Sequence, residues 1–143
     1  MVRHPKAIGD RSTMMIMLAL REQGFDVYLP FGENTRCDLI TDRDGRLSRV
    51  QCKTGRLIAG AVHFCPCSTY GHHRNPKIQR RSYIGEIDEF AVYCPATRAV
   101  YLIPIGDVQT RTSAALRVDP ARNGQARKIR RAAAYEIAKI DVY

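Results

Sequence analysis

Apolar positions along the chain follow two patterns. Near the start, Met14-Met15-Ile16-Met17-Leu18-Ala19-Leu20 is a dense apolar run, with Asp10 and Arg11 before it and Arg21 and Glu22 after it. Ala, Leu and Met favour helix, and Gly24 offers the left-handed residue that ends one. A helix is therefore predicted over residues 11–23, with Asp10 or Ser12 as its N-cap. Beyond Gly24 the apolar runs shorten and alternate with polar residues, the period of strands. Residues 25–29 are predicted as a strand that Pro30 ends, and 31–37 as a polar loop. Residues 38–41 and 47–53 read as two strands around the turn 42–45. Asp44-Gly45 can supply the positive φ that a tight hairpin needs. A third strand is predicted over 60–65. Residues 66–82 carry Gly71, Pro76 and many charges without clear alternation, and are predicted to be irregular. Two strong strands follow over 89–94 and 99–104, joined by the turn 95–98, and a short one over 116–118. Residues 125–140 have helical composition, with Ile129, Ala132, Ala133, Ile137 and Ile140 on one side. This order predicts an α/β fold: a mixed central sheet flanked by helices.

A chain of 143 residues suits one domain, spanning 1–143, with a real core. An apolar fraction of 45% with mixed charge fits a soluble globular protein. No run approaches the roughly 18 apolar residues of a membrane helix. The run at 14–20 is not a signal peptide, since acidic Asp10 precedes it and no small-residue cleavage site follows. Five cysteines without such a leader point to reduced thiols and a cytoplasmic location. The net charge of +9 makes nucleic acid the leading partner, through counterion release. A basic protein with no polyanionic partner would have the same charge.

Candidate chemistry gathers on the hairpin. If its strands pair, Asp38 comes to the same end as Gln51 and Lys53, which lie two apart and face one side. A carboxylate, an amide oxygen and a lysine there could hold Mg²⁺ and activate water beside a phosphate. An ordinary solvated hairpin could carry the same residues. Basic residues surround the site. Arg56 follows Lys53. Arg74, Lys77, Arg80 and Arg81 lie in the segment 72–81, and Arg127, Lys128, Arg130 and Arg131 open the C-terminal stretch. DNA-backbone contact is the functional reading of these, and a solvated face the plain one. Tyr70 and Tyr83 are read as packing residues or base-stacking platforms. Glu86 and Asp88 suit a turn or cap better than a second acidic site. His63, Cys65 and Cys67, with His72 and His73, could bind zinc, but Cys-x-Cys is not the usual knuckle spacing and a reduced cysteine pair is the preferred reading.

Asp38 followed by Gln51-Cys52-Lys53 resembles the PD-(D/E)XK nuclease signature, with Gln51 in the place of the second acid. The likeness extends through Gly9 and its helix, Gly24-Phe25, Pro30-Phe31-Gly32-Glu33-Asn34, Cys37-Asp38-Leu39-Ile40 and Val50-Gln51-Cys52-Lys53-Thr54-Gly55-Arg56. It continues in Ser82-Tyr83-Ile84-Gly85-Glu86-Ile87-Asp88, Phe90-Ala91-Val92-Tyr93-Cys94-Pro95, Val100-Tyr101-Leu102-Ile103-Pro104 and Leu116-Arg117-Val118. Over about residues 4–140 the chain is similar to the group I intron-associated homing endonucleases of that superfamily. Archaeal Holliday junction resolvases resemble its first half.

The resemblance implies a restriction-endonuclease-like core and a metal-dependent DNA endonuclease using Mg²⁺ or Mn²⁺. Asp38, Gln51 and the main-chain carbonyl of Cys52 would be ligands, with the Cys52 side chain turned into the core. Lys53 would orient or help deprotonate the attacking water. Double-stranded or branched DNA would be the substrate, and a homodimer or homotetramer the assembly. The source would be a prokaryote, a phage or a mobile element. There is one departure. The family carries a Glu on the first helix, four residues after the glycine, and Thr13 stands there in this chain. Asp38 then remains the one matching carboxylate, so weaker metal binding is expected. Glu33 or Asp10 could substitute, without a matching motif. A structure-selective junction resolvase and a DNA-binding relative without cleavage are the alternatives.

Overall fold

The computed structural model describes residues 4–72, 75–108, 112–120, 123–124 and 129–140, with only the backbone described for residues 70–72 and 75–78. The chain starts with helix α1, Pro5–Glu22, longer at its N-terminus than composition predicts. Neither Asp10 nor Ser12 caps it. The His4 imidazole accepts the N–H of Lys6, and Pro5 sits in the first turn, where a missing N–H costs nothing. The other end follows expectation. Gly24 is at φ 87°, Phe25 N–H donates to the Leu20 carbonyl and Gly24 N–H to that of Arg21, a glycine C-cap that satisfies the last carbonyls.

Eleven strands follow among the described residues: β1 Asp26–Tyr28, β2 Leu39–Arg43, β3 Arg46–Thr54, β4 Arg56–Ile58, β5 Ala61–Phe64, β6 Cys67–His72, β7 Asn75–Ser82, β8 Glu89–Cys94, β9 Ala99–Pro104, β10 Ala114–Arg117 and β11 Glu136–Lys139. The main sheet has the order β1-β2-β3-β8-β9-β11. Its one parallel pair is β3 with β8, so the sheet is mixed as predicted. A second sheet, β10-β5-β4, packs beside it, and β6 pairs with β7 as a separate ribbon.

The main sheet separates two cores. Met15, Ile16, Ala19 and Leu20 of α1 press on Leu39, Val50, Cys52, Ala91, Tyr93 and Val100. On the opposite face, Phe90, Val92, Tyr101 and Ile103 meet Val62, Phe64, Ala114 and Leu116 of the second sheet. This burial of both faces explains why β8 and β9 read as continuous apolar runs. Gly55 carries the chain from β3 into the second sheet, and a Cβ there would lie 2.6 Å from a Val62 methyl and 2.9 Å from a Val92 methyl. Only a residue without a side chain lets the two layers close.

Two predicted regions differ. Residues 66–82 are an antiparallel ribbon, with Cys67 opposite Ser82 and Tyr70 opposite Gln79. Cys67 at its base is buried, but Thr69, Gln79, Arg80 and Arg81 are exposed, so among the described side chains none beyond that base marks a two-residue period. The predicted C-terminal helix is a short 3-10 turn, Ala132–Ala134, followed by β11. Residues 125–128 lie outside the described residues. The free edge of β9 needs hydrogen-bond partners, and pairing there overrides local helix propensity. Ile140 still enters the core beneath α1, and Ala132 enters the opposite core. Among the described residues α1 is therefore the one α-helix, and no helix is long and apolar enough to cross a membrane.

Candidate active site

The hairpin of β2 and β3 turns through Asp44 and Gly45, at φ 54° and 82°, with Gly45 N–H donating to Asp42. Two positive φ values match the right-handed strand twist, and they fix the register from Arg43–Arg46 to Leu39–Val50. One step beyond the last pair, Asp38 N–H donates to the Val50 carbonyl at 2.8 Å, which sets Asp38 across from Gln51. Val50 and Cys52 face α1, so Gln51 and Lys53 face the other way by strand alternation. The structure thus gathers Asp38, Gln51 and Lys53 at the open end of one hairpin.

Asp38 Oδ2 accepts the N–H of Cys52 at 2.9 Å. The residue sits on an exposed rim, yet crowding by the protein strips enough water to push its pKa up. The Cys52 hydrogen bond and the Lys53 charge oppose that rise without cancelling it. Burial pulls Lys53 below the ordinary lysine value, and the nearby Arg36 charge adds to this, against the pull of Cys65, Cys67 and Asp38. The lysine Nζ donates to the Cys67 carbonyl at 3.1 Å and lies 5.0 Å from the centre of the Tyr83 ring. Among the described residues no ion pair within 4.0 Å joins Lys53 to Asp38. A carboxylate and an ammonium, each disfavoured in its charged form, lie near enough to feel one another's charge without forming an ion pair.

Thr13 lies on α1 above β3. Its hydroxyl donates to the Gly9 carbonyl at 3.1 Å and is within hydrogen-bond reach of the Cys52 thiol. Burial pushes that thiol far up, as does the Asp38 charge, so Cys52 is a protonated core residue and only its main chain faces the hairpin end. Next to it, Ser12 Oγ and Thr54 Oγ1 share a hydrogen bond of 2.6 Å that pins this part of the helix to β3. Asp10 and Glu33 are exposed. Among the described residues no group of three or more His, Cys, Asp or Glu side chains gathers.

The donors present nonetheless suit a hard divalent cation. They are one carboxylate, one amide oxygen and the main-chain carbonyl of Cys52, all oxygens, and Mg²⁺ commonly takes one or two carboxylates and completes its shell with water and phosphate. The raised pKa of Asp38 fits as well, because a cation beside it would stabilise the ionised form.

Sequence reasoning missed a set of residues near Lys53. Arg36, in the loop before β2, donates from Nε to Glu86 Oε2 at 2.6 Å, from one terminal nitrogen to Ser68 Oγ at 2.9 Å and from the other to the Ser82 carbonyl at 2.9 Å. Its guanidinium lies 4.2 Å from the centre of the Tyr83 ring. Glu86 also accepts from Arg81 at 3.1 Å. Partial burial pushes Glu86 up, but Arg36 and Arg81 outweigh it and hold its carboxyl below the usual value. Asp88 is engaged elsewhere, with Arg49 through both side chain and main-chain N–H. These two acids brace the structure, as their turn-like setting suggests.

Arg56 is exposed on β4, opposite His63, and lines an open cleft of about 430 Å³ with Thr54, Cys65, Thr112 and Ser113. Arg80 and Arg81 are exposed on β7. Lys77 lies on the same strand with its side chain outside the described residues, as are Arg74, Arg127 and Lys128 altogether. The Cys65 and Cys67 sulfurs are 3.4 Å apart; His73 and the His72 side chain lie outside the described residues.

The family profile described as PD-(D/E)XK endonuclease matches residues 3–138. No curated protein matches the chain. Among solved structures the fold is similar to that of a bacterial homing endonuclease, I-Ssp6803I, with a TM-score of 0.76 at 22% identity over 94% of this chain and 89% of that one. The match over nearly the whole length, on a mixed sheet whose β2–β3 hairpin gathers Asp38, Gln51 and Lys53, means that the chain belongs to the PD-(D/E)XK endonuclease family.

Proposed function

We propose that this endonuclease acts on DNA and hydrolyses a phosphodiester at the open end of the β2–β3 hairpin, with Mg²⁺ or Mn²⁺ as cofactor. The observation that carries the reading is the held-apart pair: Asp38 tied to the Cys52 N–H, and Lys53 tied to the Cys67 carbonyl. Asp38, the Gln51 amide oxygen and the Cys52 carbonyl would hold the cation. When bound, it neutralises phosphate charge and makes water acidic enough to attack near neutral pH. Lys53 does the rest of the local work. Its ammonium orients the attacking water and balances negative charge that builds on the phosphate. Its lowered proton affinity favours passing a proton on.

Arg56, Arg80 and Arg81, with Arg74 and Lys77, would bear on the DNA backbone, consistent with a net charge of +9. The similar structure is described as a homing endonuclease, and we extend to this chain a duplex DNA substrate from a mobile-element setting. One active site cuts one strand, so a double-strand cut calls for a homodimer or homotetramer.

The test is cleavage of supercoiled plasmid, linear duplex and a four-way junction, each with Mg²⁺, Mn²⁺ or chelator. Wild type is expected to cleave DNA only with the cation, and Lys53→Ala to lose most of that activity. Equal cleavage by Lys53→Ala refutes the assignment, and preference for the junction replaces the duplex reading by a resolvase. One observation favours a second reading, binding without cleavage: Thr13 leaves Asp38 without the family's helix acid. Retained DNA affinity with no cleavage under either cation would establish it.

A further inference from the structure

We propose that Arg36 and Tyr83 are positioning residues that hold the Lys53 ammonium on the Cys67 carbonyl, clear of Asp38, and so keep the space between amine and carboxylate open for the scissile phosphate. The proposal rests on the nuclease reading of this site for its purpose, though not for its geometry.

A lysine on the same strand face as a nearby carboxylate has an obvious alternative, a direct ion pair. That pair would fill the catalytic space and tie up both groups. The structure avoids it. Lys53 Nζ is 3.1 Å from the Cys67 carbonyl and 5.0 Å from the Tyr83 ring centre, a cation facing the negative side of an aromatic quadrupole. Tyr83 is itself buried, 4% exposed and set edge-on to Phe90 with ring centres 5.8 Å apart. Arg36 acts on the lysine through that ring and through β6, since its own charge repels an ammonium. It lies 4.2 Å from the same ring centre, and three hydrogen bonds, to Glu86, Ser68 and the Ser82 carbonyl, fix its plane. The guanidinium side chain is 24% exposed, so most of it serves the protein and little of it is offered to a ligand.

The clamp also ties the site to the basic ribbon. Ser68 is on β6, Ser82 ends β7, and Arg81 shares Glu86 with Arg36. The carbonyl that receives Lys53 belongs to Cys67, the first residue of β6. Displacing the base of the ribbon therefore displaces the lysine.

The experiment compares wild type with Tyr83→Phe, Tyr83→Leu and Arg36→Gln in steady-state cleavage, DNA binding and crystal structures without DNA. Tyr83→Phe keeps the ring and is expected to keep the rate. Tyr83→Leu and Arg36→Gln are expected to lower kcat on the order of ten- to 100-fold with KM and DNA affinity unchanged, as misplacement of a catalytic group does. In the Tyr83→Leu crystal structure Lys53 Nζ is expected within ion-pair distance of Asp38. Wild-type kcat in either variant overturns the proposal, and so does a raised KM at constant kcat for Arg36→Gln, which would mark a DNA contact. Lys53 still seated on the Cys67 carbonyl without the Tyr83 ring overturns it too. The crystal structures decide the positioning claim even if wild type cleaves no DNA, an outcome that would defeat the nuclease reading alone. Should Tyr83→Leu fail to fold, the structure of Arg36→Gln decides instead: the Tyr83 ring and Lys53 Nζ are expected to shift away from the Cys67 carbonyl, and Lys53 seated as in wild type overturns the proposal.

Discussion

Replacing Asp38 by Asn separates the chemistry of the site from the stability of the fold. The carboxylate accepts the Cys52 N–H at 2.9 Å, and an asparagine oxygen can keep that bond. Loss of charge assistance removes about 1 kcal/mol. Against this, the variant no longer holds a charge where desolvation raises its pKa. Asp38 lies on an exposed rim, so solvent screens that cost to roughly 1 kcal/mol or less. The two effects nearly cancel, and Asp38→Asn should unfold within about 1 kcal/mol of wild type at neutral pH. The pH dependence has a definite sign. A carboxyl whose pKa is raised by folding binds its proton more tightly in the native state. Its contribution is complete below the unfolded value of about 4 and is lost as pH rises through the raised folded value. Wild type should therefore lose stability relative to Asp38→Asn as pH rises from the carboxylate range. Added Mg²⁺ reverses the ranking. At about ten times its dissociation constant it contributes ~1.4 kcal/mol to wild type alone, a Tm rise of roughly 3–6 °C for a chain of this length. Thermal melts over pH and Mg²⁺ concentration, beside plasmid cleavage, read all of this. An Asp38→Asn protein that gains the same Tm with Mg²⁺, or cleaves at the wild-type rate, refutes the assignment.

Three further outcomes follow from the same geometry. Thr13→Glu places a second carboxylate on α1 near Cys52 and Asp38, and should tighten Mg²⁺ binding at least several-fold by calorimetry and raise cleavage; unchanged affinity would mean that α1 does not reach the site. Gly55→Ala should cost about 1–3 kcal/mol in denaturant melts, since its Cβ would meet the Val62 and Val92 methyls at 2.6 and 2.9 Å; wild-type stability would show that the layers have slack there. Arg80→Ala should weaken DNA binding across sequences and lower the salt slope by about 1, as loss of one phosphate contact does; an unchanged slope removes Arg80 from the interface.

Local patterns were enough for much of this fold. The β2–β3 hairpin was legible because Asp44-Gly45 states its turn and alternation states its faces. The Gly24 stop, β8 and β9 were legible for similarly local reasons. The β6–β7 ribbon was not, because its sequence shows no clear apolar alternation and its pairing is carried by backbone hydrogen bonds. Nor was β11, where an open sheet edge recruits a segment whose own composition favours helix. The placement of the three candidate hairpin residues was legible because strand periodicity alone puts Gln51 and Lys53 on one face and Asp38 beside them.

The supports of that site were not legible, for a different reason. Arg36 reaches Glu86 across 50 residues of sequence and Ser68 across 32, and Lys53 reaches Cys67 across 14. Nothing in a one-dimensional pattern pairs an arginine in a polar loop with a glutamate in a turn. Yet these contacts decide whether the legible residues are usable. Asp38 and Lys53 on one face would neutralise each other unless something keeps them apart, and a site with a single matching carboxylate can least tolerate that loss. The departure at Thr13 and the clamp of Arg36 and Tyr83 thus bear on one quantity, the charge left free to meet a cation and a phosphate. An acid introduced at position 13 adds to that charge from α1, and loosening the clamp subtracts from it on the opposite face of β3. The double variant Thr13→Glu/Tyr83→Leu should therefore bind Mg²⁺ more tightly than Tyr83→Leu alone while staying slow, because the added acid restores affinity and does nothing to reseat the lysine.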